Sequence, residues 1–400
     1  MPLNPNRNDS TFNKSLIKIF SLIVVALIES MGHGKQNLIE QYRQPISEWP
    51  PIEVDESVNA QELAPLPQLP EVEWHTPATE NLGKQLFFDP RLSKSGQFAC
   101  VSCHHPSQGW TDGRRVSAGH DRSEGTRNSM TLINVAYFES LFWDGRAEGL
   151  LDLILKPIQS PMEMNSDLDE AIDRINAIDG YRPFIQEAFD SDQLTPERLA
   201  IAIASFVRTR VSFRNDFDRF MQGEHSRLTE QQIEGLHLFR TKAKCMNCHH
   251  GPLLSDGQFH HTGLSYYDRR FEDLGRFEHT GEYDDRGKFR TPSLRELSFT
   301  GPWMHNGLFT NFTGILRMYN HGITFNSRVQ KKPGAPPLSP LIQPLGMTME
   351  EIQALESFLH TLNRIPHFVR TPDLPNMGSN LSTKVSELHT TNEKPLLISE

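Results

Sequence analysis

All four cysteines of the 400-residue chain fall in two pentapeptides, Cys100-Val-Ser-Cys103-His104 and Cys245-Met-Asn-Cys248-His249. The pattern C-x-x-C-H is the attachment signature of a c-type haem. Its two thiols bind the porphyrin covalently, and the histidine that follows supplies the proximal ligand of the iron. Each pentapeptide therefore predicts one covalently bound haem, with His104 and His249 as iron ligands.

Zinc ribbons and thioredoxin-like redox sites also use paired cysteines. The two pairs of a zinc ribbon usually lie ~15–20 residues apart, whereas 142 positions separate Cys103 from Cys245 (245 − 103). A thioredoxin-like motif is found in a βαβ setting and does not require a histidine after its second cysteine. The spacing and the two histidines favour attachment of two haems.

The composition is typical of a globular protein and excludes collagen-like, coiled-coil and polytopic membrane classes. The chain has 40 Lys+Arg and 50 Asp+Glu, so its formal charge is 40 − 50 = −10, and its pI is about 5.9. Because phosphate binding needs a basic face, these values argue against nucleic acid as a partner.

Residues 1–34 have the pattern of a secretory signal peptide. Three basic residues, Arg7, Lys14 and Lys18, precede an apolar run from Ile19 to Ile28. The run is shorter than the ~20 apolar residues that span a bilayer as a helix. An uncleaved membrane anchor is the alternative, and both interpretations predict a periplasmic body.

The segments that flank the predicted folded body differ from it in composition. Residues 44–83 contain eight acidic residues, seven prolines and no Lys or Arg, which predicts an extended acidic linker over 35–76 rather than a packed unit. Residues 371–400 are polar with little periodicity, and they predict a loose tail.

An internal repeat precedes the two pentapeptides. The pattern G-x-x-L-F occurs at Gly83–Phe87 and again at Gly235–Phe239. Helix-start signals are also present, namely Thr76-Pro77, Thr195-Pro196, Thr229 with Gln232, and Thr348 with Glu351. The sequence predicts a mainly α fold with two cytochrome-c-like domains, residues 77–225 and 226–370, each of which wraps one covalently bound haem c.

Several further blocks carry a family resemblance: Leu86-Phe-Phe-Asp-Pro-Arg-Leu-Ser93, Phe142-Trp-Asp-Gly-Arg-Ala147, Pro161-Met-Glu-Met164, Phe289-Arg-Thr-Pro-Ser-Leu-Arg295 and Gly301-Pro-Trp-Met-His-Asn-Gly307. Over about residues 77–370 the chain resembles the bacterial di-haem cytochrome c peroxidase/MauG family. The resemblance implies that hydrogen peroxide reacts at the N-terminal haem and that the C-terminal haem transfers electrons. It also implies that Trp143 lies between the two haems, whereas ordinary core packing is the alternative for this residue.

Glu163 is the predicted acid–base residue. Heterolysis of peroxide needs a group that takes a proton from one oxygen and returns it to the other, and a carboxyl with a raised pKa can do both. Pro161, Met162 and Met164 are expected to provide apolar surroundings. In the family a glutamine often precedes this glutamate by ten residues, and here Leu153 occupies that position.

Three residues match family positions that hold a calcium ion between the domains. They are Asn128, Thr300 and Pro302. An amide oxygen and two backbone carbonyls are hard oxygen donors that suit Ca²⁺, with waters completing the shell. The alternative for Asn128 is a turn cap.

The second axial ligand of the C-terminal haem is expected from the segment that contains Met318 and Tyr319. Conventional peroxidases of the family have methionine there, which raises the reduction potential, whereas MauG-like enzymes have tyrosine, which favours oxidised iron. The spacing from Pro302 (319 − 302 = 17) favours Tyr319, and Met318 is the alternative.

His120 indicates the conventional peroxidases rather than the MauG-like enzymes. It matches the loop histidine that blocks the N-terminal haem of many resting peroxidases until one haem is reduced. MauG-like members typically lack this gate, so His120 and Tyr319 indicate different subfamilies. A surface loop histidine is the alternative for His120.

Three functions are consistent with these residues. The first is a peroxidase that receives electrons from a small redox protein, a cytochrome c or a cupredoxin. The second is MauG-like oxidation of Trp or Tyr side chains of a partner protein, and the third is a pure electron-transfer cytochrome, against which Glu163 argues. Related enzymes are often dimers, so a homodimer is also expected.

Overall fold

The computed structural model describes residues 34–323, 331–365 and 369–376. Helices dominate, and the β-structure in these ranges is limited to two short antiparallel pairs and isolated bridges. The strands are β1 Ser140–Leu141, β2 Ala147–Glu148, β3 Phe259–His260 and β4 Phe289–Arg290. The helices are α1 (34–42), α2 Pro77–Phe88, α3 Cys100–Cys103, α4 Gly149–Gln159, α5 Leu168–Asn176, α6 Arg182–Phe189, α7 Pro196–Arg208, α8 Asp216–Met221, α9 Glu230–Arg240, α10 Phe277–Thr280, α11 Phe312–Asn320 and α12 Met349–His360.

The predicted helix starts are confirmed. Thr76 and Thr195 accept hydrogen bonds from the third residue of α2 and α7, and proline follows each of them. Thr229 and Thr348 form capping boxes with Gln232 and Glu351 at the starts of α9 and α12. Each cap satisfies backbone N–H groups that have no partner inside the helix, and this fixes where the helix begins.

The first half of the body is centred on the crossing of α2 and α7. A Cβ on Gly83 would lie 1.7 Å from the carbonyl oxygen of Ala202, so only glycine permits this approach. One turn further, the rings of Phe87 and Phe206 pack at 5.2 Å between centroids. A continuous apolar core extends from this crossing through α4, α5 and α6.

The second half repeats this crossing with α9 and α12. A Cβ on Gly235 would lie 2.0 Å from the carbonyl oxygen of Ala354, and the rings of Phe239 and Phe358 pack at 5.3 Å. The repeat G-x-x-L-F is therefore the signature of a helix crossing. Its partner helices share the pattern A-x-x-S-F, at 202–206 and at 354–358.

Two apolar clusters form the cores of the two halves. The first draws its buried residues from Leu82 to Val207, and the second from Phe217 to Leu362 together with the N-terminal segment. Phe217 and Phe220 belong to the second cluster although they precede residue 226, where the sequence analysis begins the second domain.

The segment 35–76 is packed on the body, which differs from the predicted linker. It buries Ile39, Tyr42, Trp49 and Leu63 in the second cluster. Backbone groups bond the body as well, since Glu53 N–H donates to the carbonyl of Arg240. From 50 to 76 the segment has no helix or strand, which is consistent with its acidic, proline-rich composition, but four widely spaced apolar residues anchor residues 35–76 to the body.

The C-terminal stretch 369–376 also contacts the body. Arg91 donates from Nη2 to the carbonyl of Pro375 at 3.0 Å, and Leu374 packs on the first cluster. The remainder of the predicted tail, residues 377–400, lies outside the described residues. Residues 1–33 of the predicted signal peptide also lie outside them. In the described part of the chain, no helix is long and apolar enough to cross a bilayer.

Candidate functional site

The first pentapeptide lines a cavity of about 550 Å³, here called the N-terminal cavity. Cys100, Cys103 and His104 lie in its wall, together with apolar residues of α4 and α7. The volume is within the ~300–1,000 Å³ that is common for cofactor pockets. Burial raises the pKa of Cys100 to about 12 and that of Cys103 to about 11, so both are protonated thiols, and neither is in a disulfide.

The second pentapeptide lines a smaller cavity of about 130 Å³, here called the C-terminal cavity. Cys245, Cys248 and His249 lie in its wall with residues of α11, α12 and the loop 341–347. Burial raises the pKa of each of these two cysteines to about 12. This volume is below the ~300–1,000 Å³ that is common for cofactor pockets, so the fit of a haem here rests on the donor groups of the wall, two thiols and an imidazole.

The two histidines are held in the same way. His104 Nδ1 lies 3.0 Å from the carbonyl of Trp110, and His249 Nδ1 lies 2.8 Å from the carbonyl of Leu254. A carbonyl can only accept, so each Nδ1 carries the proton and each Nε2 keeps its lone pair. Burial lowers the pKa of both imidazoles. A neutral ring with a free Nε2 is the form that binds a metal.

Trp143 and Arg290 line both cavities. The Trp143 indole donates to the carbonyl of Asn128 at 2.9 Å, and the Arg290 backbone N–H donates to the carbonyl of Trp143 at 2.8 Å. Trp143 therefore lies in the wall that both cavities share, and its position between two haems stays a prediction.

His305, in the block from Gly301 to Gly307, is a further residue of the C-terminal cavity wall. Its ring stacks on Phe289 at 3.5 Å and meets Trp143 edge-on at 6.3 Å. Burial lowers its pKa to about 3, so the ring is neutral, and its buried Nε2 has no partner among the described residues. A buried ring nitrogen without a partner in the C-terminal cavity fits a site that receives a polar group of a cofactor.

The comparisons with known proteins agree with this geometry. Residues 77–226 match the family model described as di-haem cytochrome c peroxidase. The methylamine utilization protein MauG of Methylorubrum extorquens is 37% identical over 303 residues, which are 75% of this chain and 82% of MauG. The chain belongs to the di-haem cytochrome c peroxidase family.

Two further relatives cover similar shares of the chain. Cytochrome-c peroxidase IdrP2 of Denitromonas iodatirespirans is 34% identical over 341 residues, which are 78% of this chain and 89% of IdrP2. A solved MauG-like protein associated with microbial copper homeostasis has a TM-score of 0.65 and 30% identity, and the match covers 77% of this chain and 95% of that one. Membership makes the chain an oxidoreductase with two haem c groups, and the free thiols and neutral histidines of both cavities suit their attachment.

Glu163, the predicted acid–base residue, lines the N-terminal cavity. Burial raises the pKa of its carboxyl, and the charge of Arg146 partly opposes this. Met164 is buried, but Met162 is 44% exposed, so one side of the site is open to solvent.

His120 does not line the N-terminal cavity, although its neighbours Ala118 and Gly119 do. Its backbone N–H donates to the carbonyl of Glu163 at 2.9 Å, and its Nε2 lies 3.4 Å from Asp121. The structure therefore joins the backbone of the His120 loop to that of Glu163. The imidazole is only 13% exposed, and its buried Nδ1 has no partner among the described residues, so a role of His120 as a ligand at rest stays a prediction.

Tyr319 lines the C-terminal cavity, whereas Met318, on the same helix α11, is buried but is absent from the cavity wall. Burial raises the pKa of the Tyr319 phenol. Tyr319 and His249 line the same cavity, and the role of Tyr319 as the second axial ligand stays a prediction.

The three residues predicted to bind calcium are not joined by contacts within the described residues. Asn128 donates from Nδ2 to the carbonyl of Arg114 at 2.8 Å, and Thr300 donates to the carbonyl of Leu297 at 3.3 Å. The Gly301–Pro302 peptide bond is cis. Calcium binding stays a prediction.

An ion-pair network joins the two halves beside these cavities, and the sequence analysis missed it. Arg127, in the wall of the N-terminal cavity, contacts Asp144 at 2.5 Å, Asp273 at 2.7 Å and Glu278 at 3.0 Å. Asp273 and Glu278 belong to the second half. Nothing in the sequence pairs these residues, because they are up to 151 positions apart.

Proposed function

We propose that the chain is a peroxidase that reduces hydrogen peroxide at the N-terminal haem, outside the cytoplasm. The overall reaction is H₂O₂ + 2 e⁻ + 2 H⁺ → 2 H₂O. The electrons come from a small redox protein, a cytochrome c or a cupredoxin, and enter through the C-terminal haem. The observation that carries the proposal is Glu163, a carboxyl with a raised pKa in the wall of the N-terminal cavity.

The chain's own residues supply the proton transfer and the positioning. When bound, the haem supplies the iron at which peroxide binds and the electrons that break its O–O bond. The Glu163 carboxylate takes a proton from one peroxide oxygen and returns it to the other, which leaves as water. The charge of Arg146 opposes the rise in the pKa of Glu163 and so favours the ionised form that accepts the first proton.

Trp143 is the proposed path between the two haems. It lies in the wall of both cavities, and its backbone and indole are fixed by hydrogen bonds to Arg290 and Asn128. A fixed aromatic ring between two redox centres shortens the distance that each electron step must cover.

The substitution Glu163→Gln tests the proposal. The amide keeps the size of the side chain but cannot accept a proton, so peroxide turnover should fall ~10²- to 10⁴-fold, while both haems stay bound. Glu187→Gln, at an exposed position of α6, is the matched control. Turnover of Glu163→Gln at the control rate would contradict the acid–base role.

A MauG-like oxidation of Trp or Tyr side chains in a partner protein is the second candidate. Tyr319 in the wall of the C-terminal cavity favours it, as does the 37% identity to MauG. In the test, peroxide is added to the holoenzyme in the presence of equal amounts of a reduced basic cytochrome c and of a peptide that contains Tyr and Trp. Cytochrome oxidation without peptide modification supports the first candidate, and peptide oxidation detected by mass spectrometry supports the second.

A further inference from the structure

Arg290 is a buried cation that no carboxylate of the described chain neutralises. Its side chain is fixed by Nε, which donates to the carbonyl of Phe142 at 3.2 Å, and by the Phe138 ring, whose centroid lies 4.3 Å from the guanidinium carbon. Its Nη1 is buried without a partner among the described residues. Burial alone lowers its pKa to about 10.

The other three buried arginines have partners for their side chains, and Arg208 has them without a carboxylate, since it donates to the carbonyl of Pro70 and lies over the Trp74 ring. Arg240 forms an ion pair with Glu62, and Arg295 binds both carboxylate oxygens of Asp218 at 2.8 and 2.9 Å. An unpaired charge in a protein interior costs several kcal/mol, so a buried arginine normally has an anionic partner. Among the four buried arginines of the described chain, Arg290 alone combines the lack of a carboxylate with a buried nitrogen that has no partner, so an anion from outside the polypeptide would satisfy it.

The position of Arg290 identifies that anion. The residue lies in the wall of both cavities, a property that it shares with Trp143 alone among the lining residues of the described chain. Each haem c carries two propionate carboxylates, which are the anionic groups of the cofactor. A guanidinium presents five N–H donors in a planar fork and can bind carboxylates on two of its edges.

We propose that Arg290 binds propionate groups of both haems and so couples them electrostatically. The inference concerns how the haems are held, and it does not depend on peroxide chemistry or on the electron donor. A cation beside a haem stabilises the reduced iron relative to the oxidised iron, because reduction lowers the positive charge of the centre. Arg290 therefore raises the reduction potential of both haems.

The test compares Arg290→Gln with the wild-type holoenzyme by spectroelectrochemical titration. Loss of the shared cation should lower both potentials, by about a tenfold change in each reduction equilibrium, which is ~59 mV for one electron. Arg146→Gln is the matched control, because Arg146 lines the N-terminal cavity alone and already pairs with Asp144 at 3.0 Å. Its effect should be smaller and confined to the N-terminal haem.

Arg290→Lys keeps the positive charge and provides a second variant if the glutamine variant loses a haem. An ammonium group cannot present N–H donors on two edges, so the propionate bending bands in the resonance Raman spectrum should shift for at least one haem. Unchanged bands for both haems would overturn the proposal. A fall in potential at one haem only, in Arg290→Gln with both haems bound, would also overturn it.

Discussion

The proposed role of Glu163 makes the peroxide reaction depend on pH in a defined direction. Its carboxylate must be ionised to accept the first proton, and burial raises its pKa. The rate should therefore fall as the pH decreases through this raised pKa, at a higher pH than for an exposed glutamate. Removal of the opposing charge by Arg146→Gln should move the midpoint to still higher pH. A stopped-flow pH profile with the same midpoint in both proteins would contradict this electrostatic account.

Tyr319 and Met318 give a second prediction at this scale. Tyr319→Phe removes the phenol oxygen from the C-terminal cavity, so the absorption and EPR spectra of the ferric C-terminal haem should change. Met318→Leu keeps the volume of a buried side chain that is absent from the cavity wall, so its spectra should match those of the wild type. The reverse pattern would identify Met318 as the ligand.

The sequence predicts the covalent attachment residues because C-x-x-C-H is local and complete in itself. It predicts Glu163 and Trp143 through blocks of neighbouring residues that resemble the family. It does not predict the environment of Arg290 or His305, because the lack of a partner depends on groups that are distant in the chain. A buried arginine without a carboxylate is visible only in three dimensions.

At the scale of elements, the contact between two loops positions Glu163. A Cβ on Gly119 would lie 2.0 Å from the carbonyl oxygen of Met162, although the φ of Gly119 is −123° and unstrained. Gly119→Ala should therefore push the two loops apart and lower the peroxide rate, while both haems stay attached. The rate and the pyridine haemochrome content are the measurements. Gly96→Ala is the control for a change of a loop glycine to alanine, because a Cβ on Gly96 would lie in open space. Its positive φ of 67° strains the backbone of that turn, but the added Cβ would make no contact with the Glu163 loop.

The helices show which elements a sequence can define. The capping residues of α2, α7, α9 and α12 are local signals, and all four starts are confirmed. The segment 35–76 is different, because its buried apolar residues are too widely spaced to form a periodic pattern in an acidic sequence. These residues are Ile39, Tyr42, Trp49 and Leu63. Their burial requires a surface that the second half of the chain creates.

At the scale of the whole molecule, Glu296 binds the segment that connects the two halves. It is 1% exposed, accepts a hydrogen bond from the backbone N–H of Arg364 at 2.6 Å, and is bonded by the Ser212 hydroxyl in the connecting segment. Burial raises its pKa to about 7.

This raised pKa predicts a pH-dependent stability. The folded state holds a proton on Glu296 that the unfolded state releases near pH 4.5, so its contribution is present below pH 4.5 and is lost as the pH rises to about 7. Glu296→Gln should increase the free energy of unfolding at pH 8, by up to roughly 3 kcal/mol, and change it little at pH 5. Urea unfolding of the holoprotein at both pH values measures this. An equal change at both would contradict the assignment.

The arrangement of the two halves is only partly contained in the sequence. The repeated G-x-x-L-F pattern predicts two similar units, and the structure shows that each pattern marks a helix crossing. The contacts that join the units, from Arg127 to Asp273 and from Asn128 to the carbonyl of His305, link positions more than 140 residues apart. Such pairs follow from the docked surfaces and have no local signature.

As the central claim, we propose that the N-terminal haem of this peroxidase reacts with peroxide without prior reduction, because Glu163 lines its cavity and His120 does not. The most direct test adds one equivalent of peroxide to the as-isolated diferric holoenzyme, without prior reduction, and follows its absorption and EPR spectra. The account predicts a prompt and persistent spectral change that is absent in Glu163→Gln. No change until one haem has been reduced would contradict it and would show that His120 blocks the iron.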